Sequence, residues 1–210
     1  MYPTKIPSII KRIYSSYTWD VKGDDHSVYL TFDDGPHPEV TLFVLDELAK
    51  YNAKATFFCI GKNVEEYPDV YSRILVEGHR TGNHTHNHLN GWKTPDKEYI
   101  SNVAKAREYI DSDLFRPPYG RITSFQANAL MGNDREKGVH FRIIMWDVLS
   151  GDFDLQKNGE DCVKTVLKKS KPGSIITFHD SEKAFPRLRI ALPIVLQEFA
   201  AKSFQFKTIE

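Results

Sequence analysis

Strand-like runs at 28–32, 55–60, 79–81, 114–116, 139–146, 173–179 and 204–207 alternate with helix-period segments at 39–51, 64–77, 95–110, 124–136, 160–169 and 189–202. Such alternation makes parallel strands with helices packed outside them, because a parallel connection needs a crossover long enough to hold a helix. A barrel of eight such units usually needs about 250 residues. Seven units in 210 residues therefore predict a smaller α/β fold, a distorted TIM-like (β/α)7 barrel. The alternative is a doubly wound open sheet, but no glycine-rich dinucleotide fingerprint follows the first strand. Ahead of the barrel, Ile6, Ile9, Ile10, Ile13 and Tyr17 recur at helical spacing with Lys5, Lys11 and Arg12 between them. This predicts an amphipathic helix that closes the bottom of the core rather than one that lies on a membrane. The expected organisation is an N-terminal helical extension over 1–25 and one β/α domain over 26–210, with no composition break between units.

Charge and cysteine usage narrow the class. Lys+Arg and Asp+Glu balance at 28 each, so no basic field attracts nucleic acid or an anionic membrane. No apolar run reaches membrane-span length. The N-terminus lacks the apolar core and small-residue cleavage site of an export signal, so the expected location is the cytoplasm, or the envelope or exterior if the chain has been trimmed from a longer one. Cys59 and Cys162 read as buried small hydrophobes without metal-site spacing; a disulfide between them stays open.

The polar clusters fall just after strands, and parallel strands bring all of them to one face. Thr31-Phe32-Asp33-Asp34-Gly35 ends the first strand with adjacent carboxylates. Side chains alternate along a strand, so two neighbouring aspartates serve one site only where the backbone is turning. His84-Thr85-His86-Asn87-His88 follows the third strand. A helical turn there would put His84 and His88 on one face, able to hold a metal ion with an aspartate as third ligand; an extended segment would align all three histidines. Two histidines and a carboxylate leave coordination positions open, which suits catalysis. Arg116-Pro117-Pro118-Tyr119-Gly120 adds a permanent positive charge on a stiff loop, a cluster at 147–152 follows the fifth strand, and His179 ends the sixth.

These residues resemble the metal-dependent polysaccharide deacetylases, the chitooligosaccharide-deacetylase (NodB-like) domain of carbohydrate esterase family four. Residues 31–35, 84–88, 116–120 and the run ending at His179 match its first, second, third and fifth motifs in order, over essentially the whole chain from Val28. The resemblance implies a seven-unit distorted barrel and one divalent ion, zinc with cobalt or nickel as substitutes, held by Asp34, His84 and His88, with His86 outside the ligand set. It further implies Asp33 as general base oriented by Arg116, the Tyr119 backbone N–H as oxyanion donor, and His179 as general acid tuned by Asp152. Pro117, Pro118, Phe153 and Thr177 are expected to shape the substrate pocket. The fourth motif departs from the family pattern, with Phe153 where a tryptophan is usual, and Thr177 stands where an aliphatic residue usually lines the acetyl pocket.

The implied reaction is hydrolytic removal of acetyl groups, from N-acetylglucosamine-containing oligo- or polysaccharide in the first reading and from O-acetylated xylan in the second. A non-haem iron oxygenase would share the two-histidine, one-carboxylate set but fits the β/α alternation poorly. A non-catalytic carbohydrate-binding protein has no use for an intact base, acid and ligand trio. The expected partner is an acetylated carbohydrate, with no nucleic acid and no membrane span; the oligomeric state is open.

Overall fold

The computed structural model describes residues 2–23, 26–132 and 140–210. In chain order its elements are α1 (Ser8–Ile13), β1 (Ser27–Asp33), α2 (Val40–Ala49), β2 (Thr56–Cys59), α3 (Gly61–Glu66), α4 (Pro68–Val76), β3 (Arg80–Asn83), α5 (Asp96–Arg107), β4 (Leu114–Phe115), a 3-10 turn (Pro118–Gly120), α6 (Ser124–Met131), β5 (Arg142–Ile143), β6 (Val148–Leu149), α7 (Gly159–Lys169), β7 (Ile175–His179), α8 (Phe185–Ala201) and β8 (Gln205–Phe206). The strands form one sheet in the order β5-β4-β3-β2-β1-β7-β6, with β8 added at the start of β1, and every ladder is parallel. This is the α/β barrel-like fold that the alternation predicts.

All seven residues of β1 are buried, because helices cover one face and the barrel interior the other. Val28, Leu30 and Phe32 point at the helices, where Phe32 stacks on Phe57 at 5.1 Å and on Phe178 at 6.1 Å. The alternate residues of β1 point inward. Tyr29 pairs in register with Ile175, Thr31 with Thr177 and Asp33 with His179. The interior column thus passes from an apolar floor of Tyr29, Phe58, Leu114, Ile144 and Ile175 to carboxylate and imidazole at the C-terminal mouth.

Several expected boundaries shift for local reasons. The helix over 64–77 is two helices, because Pro68 cannot continue the hydrogen-bond ladder and holds Tyr67 outside helical backbone (φ −126°, ψ 59°) while starting α4. α6 is capped by Thr123, one residue before the Ser124 expected in that role: Thr123 accepts the Gln126 N–H, and the Gln126 side chain accepts the Thr123 N–H. The expected helix end at 136 and strand start at 139 lie outside the described residues. The run to 146 yields only Arg142–Ile143 as strand, and β6 follows separately. α8 starts at Phe185 rather than at 189, since Pro186 sits in its first turn, where no donor is needed, and the helix carries Pro193 inside it.

β5 and β6 do not pair with each other, and the N-terminal segment stitches the gap. Thr18 pairs parallel to Ile144 on one lip and Lys5 antiparallel to Val148 on the other. The backbone bonds run from Thr18 N–H to Ile143 O, Met145 N–H to Thr18 O, Ile6 N–H to Asp147 O and Leu149 N–H to Thr4 O, at 2.7–3.0 Å. Between the lips Asp147, wholly buried, accepts from Lys5 and Lys11, each at 2.5 Å, and from Ser174 at 2.6 Å. The helix expected at 6–17 shrinks to α1, no residue of which is buried; Ile6 and Trp19, which flank it, enter the core instead. Cys59 and Cys162 are buried free thiols, and no helix among the described residues is long and apolar enough to cross a membrane.

Candidate active site

At the C-terminal mouth the wholly buried Arg116 leaves β4 and turns back beneath the site. Its Nη1 donates to Asp33 Oδ1 at 2.6 Å and to Thr31 Oγ1 at 2.7 Å, its Nε to Ile144 O and its Nη2 to Met145 O, and its guanidinium lies 4.0 Å from the centre of the Phe58 ring. A buried guanidinium with this many fixed partners has one orientation, which it imposes on Asp33. Thr177 belongs to the same layer. It is wholly buried, its hydroxyl 3.1 Å from Thr31 Oγ1 and 3.2 Å from Arg116 Nη1, which places it in the hydrogen-bonded layer beneath Asp33.

Asp34 reaches a different direction because its backbone is left-handed (φ 83°), which turns its side chain out of the strand's alternation. The corner is held by Asp180: Gly35 N–H donates to Asp180 Oδ1 at 3.0 Å, Thr41 Oγ1 donates to Oδ2, and Asp180 N–H bonds back to Asp33 O at 3.0 Å. A Cβ on Gly35 would stand 2.0 Å from Asp180 Oδ2, so only glycine fits. Burial and the nearby Asp34 charge lift the Asp180 carboxyl to about 7, against the hydrogen bonds from Thr41 and Gly35. Asp34 behaves oppositely. Burial pushes its carboxyl up, but the close approach of His88 and the charges of His179 and His84 outweigh that and hold it well below the usual range.

The histidine segment is neither helical nor extended. Thr85 (φ 64°) and His88 (φ 54°) are both left-handed, and the resulting loop brings the His84 and His88 rings to 5.1 Å. Asn83 accepts the Thr85 N–H, Thr85 Oγ1 accepts the Leu89 N–H, and Asn102 accepts from both His86 and Asn87. His86 points away, stacked on Tyr109 with Nε2 3.8 Å from Glu65. Asp34 with His84 and His88 offers three ligand atoms within 4.8 Å of one another.

This donor set fits a divalent ion. His84 Nδ1 lies 2.7 Å from Arg116 O, and since a carbonyl can only accept, Nδ1 carries the proton and Nε2 keeps its lone pair for a metal. Burial depresses His84 to about 4, so the ring is neutral as a ligand must be. Asp34 Oδ1 is buried and completes no hydrogen bond of good geometry, with His88 Nε2 at 3.1 Å and His84 Nε2 at 3.7 Å.

Across the mouth, the buried Asp152 takes the His179 backbone N–H on Oδ2 and faces His179 Nδ1 with Oδ1, both at 2.8 Å. Burial alone would lower His179, but the charge and hydrogen bond of Asp152, joined by Asp34 and Asp33, lift it to about 9. Phe153 stands edge-on to the His179 ring at 5.1 Å and is backed by Tyr2 at 4.9 Å. Pro117 and Pro118 are buried, and Tyr119, left-handed at φ 60°, projects an exposed ring 4.6 Å from that of His88. Among the described residues, four of the six non-glycine residues at positive φ, namely Asp34, Thr85, His88 and Tyr119, belong to this mouth, a concentration of backbone strain usual at functional sites.

Of the residues singled out from the sequence, Asp147 stands elsewhere, at the seam with Ser174, and His86 turns away toward Tyr109. Asp180 and Asn102 were missed. Asp180 directly follows His179, and a charged residue so close to a buried strand was the available signal; Asn102, in mid-helix, gave none.

Comparison with known proteins agrees with this geometry. A family model described as polysaccharide deacetylase matches residues 20–132. The peptidoglycan-N-acetylglucosamine deacetylase of Bacillus cereus is 33% identical over 198 residues, covering 91% of this chain and 90% of that protein. The chitooligosaccharide deacetylase of Azorhizobium caulinodans is 35% identical over 161 residues, 73% of each chain. Among solved structures, the Bc1960 peptidoglycan N-acetylglucosamine deacetylase superimposes with a TM-score of 0.85 at 31% identity, covering 97% of this chain and 95% of that one. With strand order, site geometry and sequence in agreement over nearly its full length, the chain belongs to the polysaccharide deacetylase family of hydrolases.

Proposed function

We propose that this chain hydrolyses the acetamide of N-acetylglucosamine residues in an oligo- or polysaccharide, with Asp33 as base, His179 as acid and one divalent ion, zinc in the first instance, held by Asp34, His84 and His88. The observation that carries this reading is the flanking of a three-ligand cluster by two proton carriers on neighbouring strands, each with its own buried partner: Asp33 with Arg116, and His179 with Asp152. A divalent ion bound there supplies Lewis acidity, polarising the acetyl carbonyl and acidifying a water. Asp33 takes the proton of the attacking water, and Arg116, engaging Oδ1, keeps the carboxylate aimed. The Tyr119 backbone N–H, on the loop whose ring meets His88, donates to the oxyanion that forms as the water oxygen adds to the carbonyl carbon. His179 holds Nδ1 toward Asp152 and gives its Nε2 proton to the amine nitrogen as the C–N bond breaks, leaving acetate and a free amino sugar. Phe153 and Tyr119 stand on either side as walls for the sugar.

Names of relatives support N-acetyl substrates, since both the Bacillus cereus and the Azorhizobium caulinodans proteins are named for glucosamine or chitooligosaccharide deacetylation. The test is acetate release by chelator-treated and zinc-reloaded protein on chitin oligomers, peptidoglycan fragments and acetylated xylan. Zinc-dependent release from the first two is expected. Release from xylan alone would replace the amide reading with an ester one, and release that ignores the chelator would remove the ion from the mechanism.

A further inference from the structure

Trp92 is an exposed aromatic that the chemistry above does not use. The residue is 61% exposed, yet its ring is held fast. The indole N–H donates to Ile122 O at 3.0 Å, and the Arg121 guanidinium carbon lies 3.9 Å from the ring centre, a cation–π contact. Under it, Gly91 N–H bonds Arg121 O at 3.2 Å, and a Cβ on Gly91 would come within 2.5 Å of that oxygen and 2.6 Å of Gln126 Oε1. Edge and one face are therefore fixed by the protein, and the ring presents its remaining face to solvent at a set angle. A clamp between two loops would work equally well with the ring buried. A large side chain already fixed by the protein loses little further freedom when a partner covers its open face, which makes it a ready contact surface.

The position of the ring says which partner. Trp92 lies in the loop that joins β3 to α5 and carries His84 and His88, and Arg121 follows two residues after Tyr119, whose ring touches that of His88. Four residues of chain from His88 span at most about 14 Å, within reach of a short oligosaccharide that has one unit in the site. The exposed Tyr119 ring lies on the same loop as Arg121. A pyranose chair has a face made of C–H bonds that carry slight positive charge, complementary to the electron-rich face of an indole.

We infer that Trp92, backed by Arg121, is a sugar-binding platform for a hexosamine ring of the glycan chain beyond the unit that reacts. The inference rests on the deacetylase reading for the identity of the glycan, so its test measures binding without turnover. Zinc-loaded Asp33→Asn protein is titrated with a chitin disaccharide and a chitin pentasaccharide, alone and with Trp92→Ala or Trp92→Phe added, following tryptophan emission and calorimetric heat. The platform predicts a pentasaccharide Kd roughly tenfold weaker in Trp92→Ala, a loss typical of truncating one well-fixed aromatic contact, with most of the affinity restored in Trp92→Phe. It also predicts that the loss is larger for the pentasaccharide than for the disaccharide. An unchanged pentasaccharide Kd overturns the platform, and so does an equal proportional loss for both sugars. A lowered melting temperature in Trp92→Ala without a change in Kd leaves the ring as a loop clamp and likewise overturns it. If Asp33→Asn still releases acetate, the base assignment fails, while the chain-length dependence of Kd still decides the platform.

Discussion

Adjacent aspartates divide their work because one residue ends a strand and the next is left-handed. Asp33 keeps the inward phase of β1 and meets Arg116; Asp34, at φ 83°, meets the histidines. The corner depends on Gly35, so Gly35→Ala is expected to push Asp180 aside and weaken ion affinity roughly 10- to 100-fold, as when a supporting hydrogen bond to a ligand is lost; metal content after dialysis against a weak chelator measures it. His179 gives a pH prediction. Its folded value of about 9 lies above the ordinary 6.5, so the stability it contributes is complete below pH 6.5 and is lost as pH rises through about 9. Asp152→Asn removes the largest contribution that raises it, so the ring's midpoint, read by nuclear magnetic resonance titration of the metal-free protein, should fall, and the alkaline limb of the rate profile with it. A midpoint that stays in place would deny Asp152 its role.

Helix ends show what could be read in advance and what could not. The segments at 39–51, 95–110 and 160–169 form helices near their expected bounds, and at α7 the apolar period is joined by a complete capping box of Asn158 and Asp161. The break at Pro68 was present in the sequence as a proline inside a helical pattern, and that local signal outweighed the period across it. By contrast, the four left-handed residues at the mouth have no sequence signature, since aspartate, threonine, histidine and tyrosine do not announce positive φ; they are imposed by tertiary bonds such as those of Asn83, Asn102 and Asp180. The candidate trio of Asp34, His84 and His88 was thus indicated by the motif resemblance, while histidine spacing left a helical and an extended arrangement open and the backbone that assembles the cluster was not legible. Thr123 offers a test of element stability: Thr123→Ala should cost about 1 kcal/mol in chemical denaturation, the usual loss for an N-cap, with ion binding unchanged.

The barrel as a unit depends on a seam that its own strands do not close. Asp147 is wholly buried between Lys5 and Lys11, and although burial works to raise its carboxyl, the hydrogen bonds from both lysines and Ser174 hold it below the ordinary 3.8. Its contribution is thus present above pH 3.8 and is lost as pH falls through the depressed folded value. Asp147→Ala should destabilise the protein by about 3 kcal/mol, the low end for breaking a buried ion pair. Hydrogen exchange should quicken first at the amides of Ile6, Thr18 and Leu149, which bridge the seam, and uniform quickening across β1 and β2 would show instead that the seam is not a separate unit. The same seam dictates an order of events during synthesis. The Lys5–Asp147 pair joins positions 142 apart in the chain, so residues 4–18 cannot make these bonds until β5 and β6 have been synthesised. The central β1–β7 ladder closes a comparable separation, Tyr29 to Ile175, and the seam bonds join the outer lips of that sheet. Residues 4–18 thus work as a latch across the β5–β6 gap, and Asp147→Ala is expected to speed unfolding more than it slows folding, as read from the two arms of a denaturant chevron.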